Sequence, residues 1–270
     1  MYLFKQNICF NRFANEFYKD TIIMALIQSM EKQGNFLFKY RGQFPVVLFL
    51  LVVPFISSTD YHNISKQVQN YCFYFAIILS VIGFLVRFYT IGTTPRGTSG
   101  RNTSKQIANV LNSTGMYSIL RHPLYLANYL IWLGIAIATL SVFFVVIMSL
   151  LFWLYYERII FAEERFLERK FGDDYLEWSN TLPAFIPSIL NFRRSDTPFS
   201  IITVLRREYA SVLSAVIGYT FVELFRTYFS TDNWGISTFS IQFLIFTLII
   251  VFVLKLLKSH THLLNEQGRS

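Results

Sequence analysis

The residues of this chain that could do chemistry gather around one junction. Arg121, His122 and Pro123 stand directly before the apolar run 124–161, and Glu157, Glu163 and Glu164 lie at its far end. Proline suits the first position of a helix, where its missing N–H is one of the groups left unpaired anyway. A helix is therefore expected to begin at Pro123, with free N–H groups and the positive end of its dipole beside Arg121 and His122, an arrangement that attracts an anion. At about 1.5 Å per residue, a single helix over 124–161 would be nearly twice as long as a hydrocarbon core of roughly 30 Å is thick. The run must fold as a hairpin, with its turn near residues 139–141. The hairpin returns residues 155–165 to the starting face and brings the three glutamates towards His122 and Tyr125. Cationic and anionic ends then meet. A ligand carrying a carboxylate, an ammonium and a sulfonium finds complementary charge there, and S-adenosylmethionine is such a ligand.

The elements that position these residues follow from composition. The chain has 270 residues, 53% of them hydrophobic, 18% aromatic and only 15% charged, with a positive mean hydropathy. That is too apolar and too poor in charge to cover a soluble surface, so the expectation is a membrane protein. The net charge of +8 sits in short clusters flanking apolar runs, as the positive-inside rule predicts, and not on one basic face of the kind that binds nucleic acid. Cys9 and Cys72 fall in unrelated contexts and indicate neither a disulfide framework nor a zinc site.

Five apolar blocks, 44–56, 71–91, 124–161, 210–229 and 234–257, stand out against the roughly 20 residues that a spanning helix needs, and the hairpin in the third raises the count to six crossings. Segments 1–41, 92–123, 162–209 and 255–270 hold nearly all the Lys and Arg, whereas linkers 57–70 and 230–233 hold one Lys and no Arg. Both termini are therefore expected on the cytoplasmic side. The expected fold is an all-α, polytopic transmembrane bundle of about six helices. Residues 1–35, which mix aromatics with charges and lack an apolar stretch followed by a small-residue cleavage site, read as an interfacial segment and not a signal peptide. Residues 36–190 form a four-helix core and 191–270 a two-helix extension.

Arg121-His122-Pro123-Leu124-Tyr125, then Glu163-Glu164, then FGDDYLEWSNTLPAFIP resembles the pattern of the isoprenylcysteine carboxyl methyltransferase and phospholipid methyltransferase superfamily. Members of that superfamily are small integral-membrane enzymes that use S-adenosylmethionine. The resemblance covers about residues 110–190, with the two preceding helices matching by architecture only. Two departures stand out: Ala127 occupies a position usually held by Gly, and the final motif, Leu182 to Pro187, lacks its usual basic residue.

The resemblance implies that His122 and Tyr125 line the cofactor pocket and that Glu163 or Glu164, with more weight on Glu164, holds the methionine ammonium. It also implies that segment 171–187, including Tyr175 and Pro187, covers the adenosine from the cytoplasmic face. The substrate it implies is a lipid or lipidated small molecule reached from the bilayer. Methyl transfer needs orientation and a dry pocket more than a catalytic triad. Arg121, with the Arg206-Arg207 pair expected just before the fifth apolar helix, favours an anionic acceptor, because the guanidinium fork matches carboxylate and phosphate oxygens.

Other readings are weighed on the same residues. A phospholipid amine N-methyltransferase would need a base to take the amine's proton. A reductase of the sterol-reductase type would need a nicotinamide site. A transporter or scaffold would place charges inside helices, where Glu223 and Arg226, spaced i,i+3, are the main candidates for a pair. GTTPRGTS at 92–99 has Thr98 where a phosphate-binding loop requires Lys and reads as a flexible loop, and His260 and His262 lack the further ligands of a metal site.

Overall fold

A computed structural model describes residues 22–95, 97–98, 106–266 and 268. The expected interfacial segment falls outside the described residues over 1–21, and the expected loop at 92–99 does so at Arg96 and Ser99.

Eight α-helices follow in order among the described residues: α1 over 22–39, then α2 Phe44–Ser57, α3 Lys66–Gly92, α4 Pro123–Ala138, α5 Val142–Phe171, α6 Asp173–Asn180, α7 Ile201–Thr231 and α8 Thr238–His260. Short 3-10 turns at Met116–Ser118 and Ile189–Asn191 flank the α4–α6 region. The one bridge between extended segments among the described residues joins Gly115 to Arg193. The all-α expectation stands. The helices α3, α5, α7 and α8 are each long and apolar enough to cross a membrane, and α4 is a shorter apolar helix. Together with the composition they make this an integral membrane protein.

The hairpin turn falls where the length argument puts it, between Ala138 and Val142. The Thr139 hydroxyl donates to Ala136 O at 2.6 Å and accepts from Ser141 N at 3.1 Å, while Leu140 takes a left-handed φ of 61°. From the α2–α3 linker, Tyr61 donates to Thr139 O at 3.1 Å. Burial pushes the Tyr61 hydroxyl up to about 12, so it remains a donor. Serine caps start the long helices. Ser65, Ser141, Ser200 and Ser237 each accept an N–H from the first turn of α3, α5, α7 and α8 respectively, satisfying a donor that lipid cannot.

The helices α3 and α4 approach closely because small residues face each other across their crossing. A side chain placed at Gly134 would meet Ala76 O at 2.4 Å, and one at Gly83 would meet Ala127 O at 2.7 Å. Between these points Ser80 donates to Ile131 O at 3.2 Å, and Tyr219 of α7 donates to Ala76 O at 2.9 Å. Helix association in lipid depends on such contacts, since apolar faces alone gain little by leaving lipid. Ala127 is fully buried, and its backbone carbonyl is the group that packs on Gly83 of α3.

The expected Glu223–Arg226 pair does not form. Arg226 donates to Ala138 O at 2.9 Å and to Gln69 Oε1 at 3.1 Å, and Glu223 accepts the Ser237 N–H at 2.9 Å. Each charge is drawn to a backbone group left open at the end of a neighbouring helix, which outweighs a pairing along α7 itself. The start of α7 also differs from expectation. The helix begins at Ile201, so Arg206 and Arg207 lie inside it and not before it.

Two measurements test this architecture. In a Cys72→Ser, Cys9→Ser background, cysteines at Asp173 and Arg194 are expected to react with an impermeant thiol reagent from one side of the membrane, and cysteines at Asn63 and Asn233 from the other. Labelling of all four from one side would defeat the six-crossing arrangement. Gly134→Val, which forces a methyl into the Ala76 carbonyl, is expected to destabilise the detergent-solubilised protein by about 1–3 kcal/mol in thermal or denaturant unfolding, as overpacking does. An unchanged midpoint would show that the α3–α4 crossing is not tight there.

Candidate active site

Helix α4 begins at Pro123 with the backbone of His122 as its cap residue, and α5 runs back beside it to deliver Glu163 and Glu164. His122 Nε2 lies 2.9 Å from Glu164 Oε1, and His122 Nδ1 lies 3.8 Å from Glu163 Oε2. The imidazole is thus held between two carboxylates, and its own side chain is only 6% exposed. Its ring stacks on Tyr125 at 5.6 Å. The Tyr125 hydroxyl is turned towards Glu163. Glu157 stays apart, exposed and paired with Arg158 at 3.3 Å.

Arg121 makes three side-chain hydrogen bonds. Its Nε donates to Glu164 Oε1 at 2.8 Å, and its Nη1 donates to Ser179 O at 2.8 Å and Leu182 O at 3.0 Å. The adjoining backbone is zipped to the same segment: Arg121 N donates to Pro183 O at 3.0 Å, His122 N to Ala184 O at 3.2 Å and Ser188 N to Ile119 O at 2.8 Å. Segment 171–187 is thereby fastened across the end of the α4–α5 hairpin. Tyr175, within this segment, is buried, and its hydroxyl is raised above the usual tyrosine range by that burial and by Glu164. Trp178 Nε1 donates to Tyr117 O at 3.3 Å, pinning the other edge.

A cavity of about 590 Å³ opens beside this cluster, within the roughly 300–1,000 Å³ typical of small-molecule sites. Arg121, His122, Tyr125, Glu163 and Arg207 line it; Glu164, Tyr175, Pro187 and Arg206 do not. Glu164 and Tyr175 stand behind the wall, where they hold Arg121 and segment 171–187 in place. Arg206 points away to the C-terminal segment, donating to Leu264 O at 3.2 Å and Asn265 Oδ1 at 2.6 Å. Neighbours on a helix point about 100° apart, and here Arg207 lines the cavity while Arg206 is turned to the C-terminal segment.

Sequence reasoning missed the far end of the cavity. Arg87 of α3 forks onto Glu208 of α7 through Nε and Nη2, the latter at 3.2 Å from Oε1. Arg87 Nη1 donates to Asn128 Oδ1, and Asn128 Nδ2 donates to the Tyr156 hydroxyl at 3.2 Å. All four residues line the cavity. One signal was available: Arg87 is a lone cation inside the apolar block 71–91, and an ionisable residue within a span marks a partner or a site. Nothing in the sequence said that its partner would be Glu208, 121 positions away.

Residues 71–174 match the family model described as phospholipid methyltransferase. Over 89 residues the chain is 37% identical to the cobalt-zinc-cadmium resistance protein CzcN of Cupriavidus metallidurans, covering 33% of this chain and 41% of that protein. It is 33% identical over 99 residues to the nickel-cobalt-cadmium resistance protein NccN of Alcaligenes xylosoxydans xylosoxydans, 37% of this chain and 44% of the other. Protein-S-isoprenylcysteine O-methyltransferase of Saccharomyces cerevisiae is 33% identical over 87 residues, 32% of this chain and 36% of that protein. The chain thus spans less than half the length of each of these relatives. No solved structure matches. The matched segment carries the α4–α5 hairpin with both its charged ends, and the match supports the superfamily that the RHPxY and Glu-Glu motifs resemble.

Proposed function

We propose that this protein is an integral-membrane, S-adenosylmethionine-dependent methyltransferase whose acceptor is a carboxylate or phosphate on a lipid or lipidated molecule, with the active site on the cytoplasmic face. The observation that carries this reading is the joining of Glu163, His122 and Tyr125 on the wall of one cavity at the charged end of the α4–α5 hairpin. The relative from Saccharomyces cerevisiae named for isoprenylcysteine O-methylation supports the acceptor class.

The cavity's chemistry fits the cofactor. Glu163 offers a carboxylate to an ammonium, and Arg41, which also lines the cavity, offers a cation to a carboxylate. The faces of Tyr125 and Tyr156, with ring centroids 4.6 Å apart, suit a sulfonium, which aromatic faces attract as they do other cations. When bound, S-adenosylmethionine supplies an electrophilic methyl group on a sulfonium. An acceptor oxygen forms the new O–CH₃ bond with its own electron pair while the S–CH₃ bond breaks and its electrons return to sulfur. An ionised carboxylate or phosphate needs no base, and no proton moves.

The protein's part is then positioning and the exclusion of water, which in well-oriented systems can account for about 7–11 kcal/mol of a barrier. Arg121 holds segment 171–187 closed over the hairpin end. Glu164 fixes His122 and Arg121 together, so that Glu163, the neighbour facing the cavity, is presented at one angle.

This division of labour separates the two glutamates experimentally. Glu163→Gln is expected to weaken S-adenosylhomocysteine binding by about 1.5–3 kcal/mol, the cost of losing a hydrogen-bonded charge partner, as read by calorimetry. Glu164→Gln is expected to loosen segment 171–187, seen as faster amide exchange over 173–184, with a smaller direct effect on affinity. Binding unchanged by Glu163→Gln would remove that residue from the cofactor site, and a wild-type protein that binds no S-adenosylhomocysteine would overturn the methyltransferase reading.

A further inference from the structure

Helix α7 lies wholly outside the family-matching residues 71–174, yet it forms one wall of the cavity through Arg207, Glu208, Ala210, Ser211, Ser214 and Ala215. It is also joined to the cofactor end by a continuous polar path. Glu208 holds the Arg87 fork, Arg87 holds Asn128, and Asn128 donates to Tyr156. The ring of Tyr156 packs on Tyr125, which stacks on His122. Charged and amide groups are costly inside a membrane protein unless each meets a partner, and this path supplies partners across α7, α3, α4 and α5.

Glu208, only 2% exposed, holds the Arg87 fork, and Arg207, 8% exposed, is the preceding residue of α7 and lines the same cavity. Tyr117 lies between the two ends of the cavity, within electrostatic reach of Glu163 and of Arg207. Burial first, and Glu163 second, hold its hydroxyl well above the usual tyrosine range, so it remains a neutral donor between them. Beyond the charges the α7 wall is made of the small side chains Ala210, Ser211, Ser214 and Ala215, which leave room for an apolar chain.

We infer that α7 builds the acceptor subsite, in which Arg207 anchors an anionic headgroup, the Arg87–Glu208 pair positions it, and the face formed by Ser211, Ser214 and Ala215 receives the attached apolar chain. This rests on the methyltransferase reading above. A carboxylate on a prenylated cysteine and the phosphate of a lipid share the chemistry that Arg207 recognises: an oxyanion on an apolar tail.

The test uses the full chain in detergent or vesicles, with methyl-labelled S-adenosylmethionine and two probes, N-acetyl-S-farnesylcysteine and phosphatidic acid in phosphatidylcholine vesicles. Whichever probe the wild type methylates identifies the source of the anion. For that acceptor, Arg207→Ala and Ser211→Phe are each expected to raise KM at least tenfold while leaving S-adenosylhomocysteine affinity within twofold. Glu208→Gln is expected to raise KM with little change in kcat, a split that simple loss of folded protein would not give. Ser211→Phe fills the wall without removing a charge, so it keeps the test open if Arg207→Ala folds poorly. An acceptor KM unmoved in both Arg207→Ala and Ser211→Phe, or cofactor affinity falling in step with it, would overturn the α7 subsite. So would a wild type that binds S-adenosylhomocysteine but methylates neither probe, whereas loss of cofactor binding in the wild type would count against the methyltransferase reading itself.

Discussion

The Arg121 guanidinium, shared among Glu164 Oε1, Ser179 O and Leu182 O, is the contact on which the rest of the site depends. Together with the backbone bonds of Arg121, His122 and Ser188, it ties the start of α4 and the end of α5 to the last turn of α6 and the loop after it. A lysine could place a charge there, but it could not serve a carboxylate and two carbonyls at fixed angles with one planar group. Because Glu164 is held by Arg121 and His122 together, the orientation of Glu163 one position earlier is fixed as well. The carboxylate on the cavity wall is thus set by contacts made behind that wall.

A second constraint comes from the surrounding lipid. Backbone and charged groups in a bilayer must find partners within the protein, and here the partners are used to join helices. Arg226 satisfies the Ala138 carbonyl at the end of α4, Glu223 the Ser237 N–H before α8, and Arg87 unites α3, α4 and α7. The apolar surfaces supply less of the specificity. Many large hydrophobic side chains on α3, α5 and α8 are exposed, as expected of faces turned to lipid. Close contact is concentrated where glycine, alanine and serine allow backbones to approach, at Gly83 and Gly134 against Ala127, Ala76 and Ser80.

These two constraints produce a cavity with unlike ends. At one end a carboxylate, an imidazole and stacked aromatics meet a helix start; at the other a matched Arg–Glu pair and a further arginine meet a wall of small residues. Methyl transfer requires a cationic donor and a nucleophilic acceptor to be held in line in one dry space. On the proposed methyltransferase reading, the cofactor takes the end that holds Glu163 and Arg41, and the acceptor the end that holds Arg207. Helix α7 lies outside the matched segment, and through Arg207 and Glu208 it is nevertheless part of that space.

Much of this was readable from residue order. The length of the 124–161 run forced a hairpin, proline at 123 fixed where α4 starts, and the hairpin returned Glu163 and Glu164 to His122. These are consequences of helix rise, proline geometry and membrane thickness, all local or one-dimensional quantities. What the sequence could not decide is which of two adjacent residues faces the cavity. Glu163 lines it and Glu164 does not; Arg207 lines it and Arg206 does not. Neighbours on a helix differ by about 100° in direction, and the rotation of a helix about its axis is set by packing against helices distant in sequence. The Arg87–Glu208 pair belongs to the same class of fact. Arg87 stands out as a lone cation in its apolar block, but its partner does not, and only the crossing of α3 and α7, held by Tyr219, Ser80 and Ala76, brings them together.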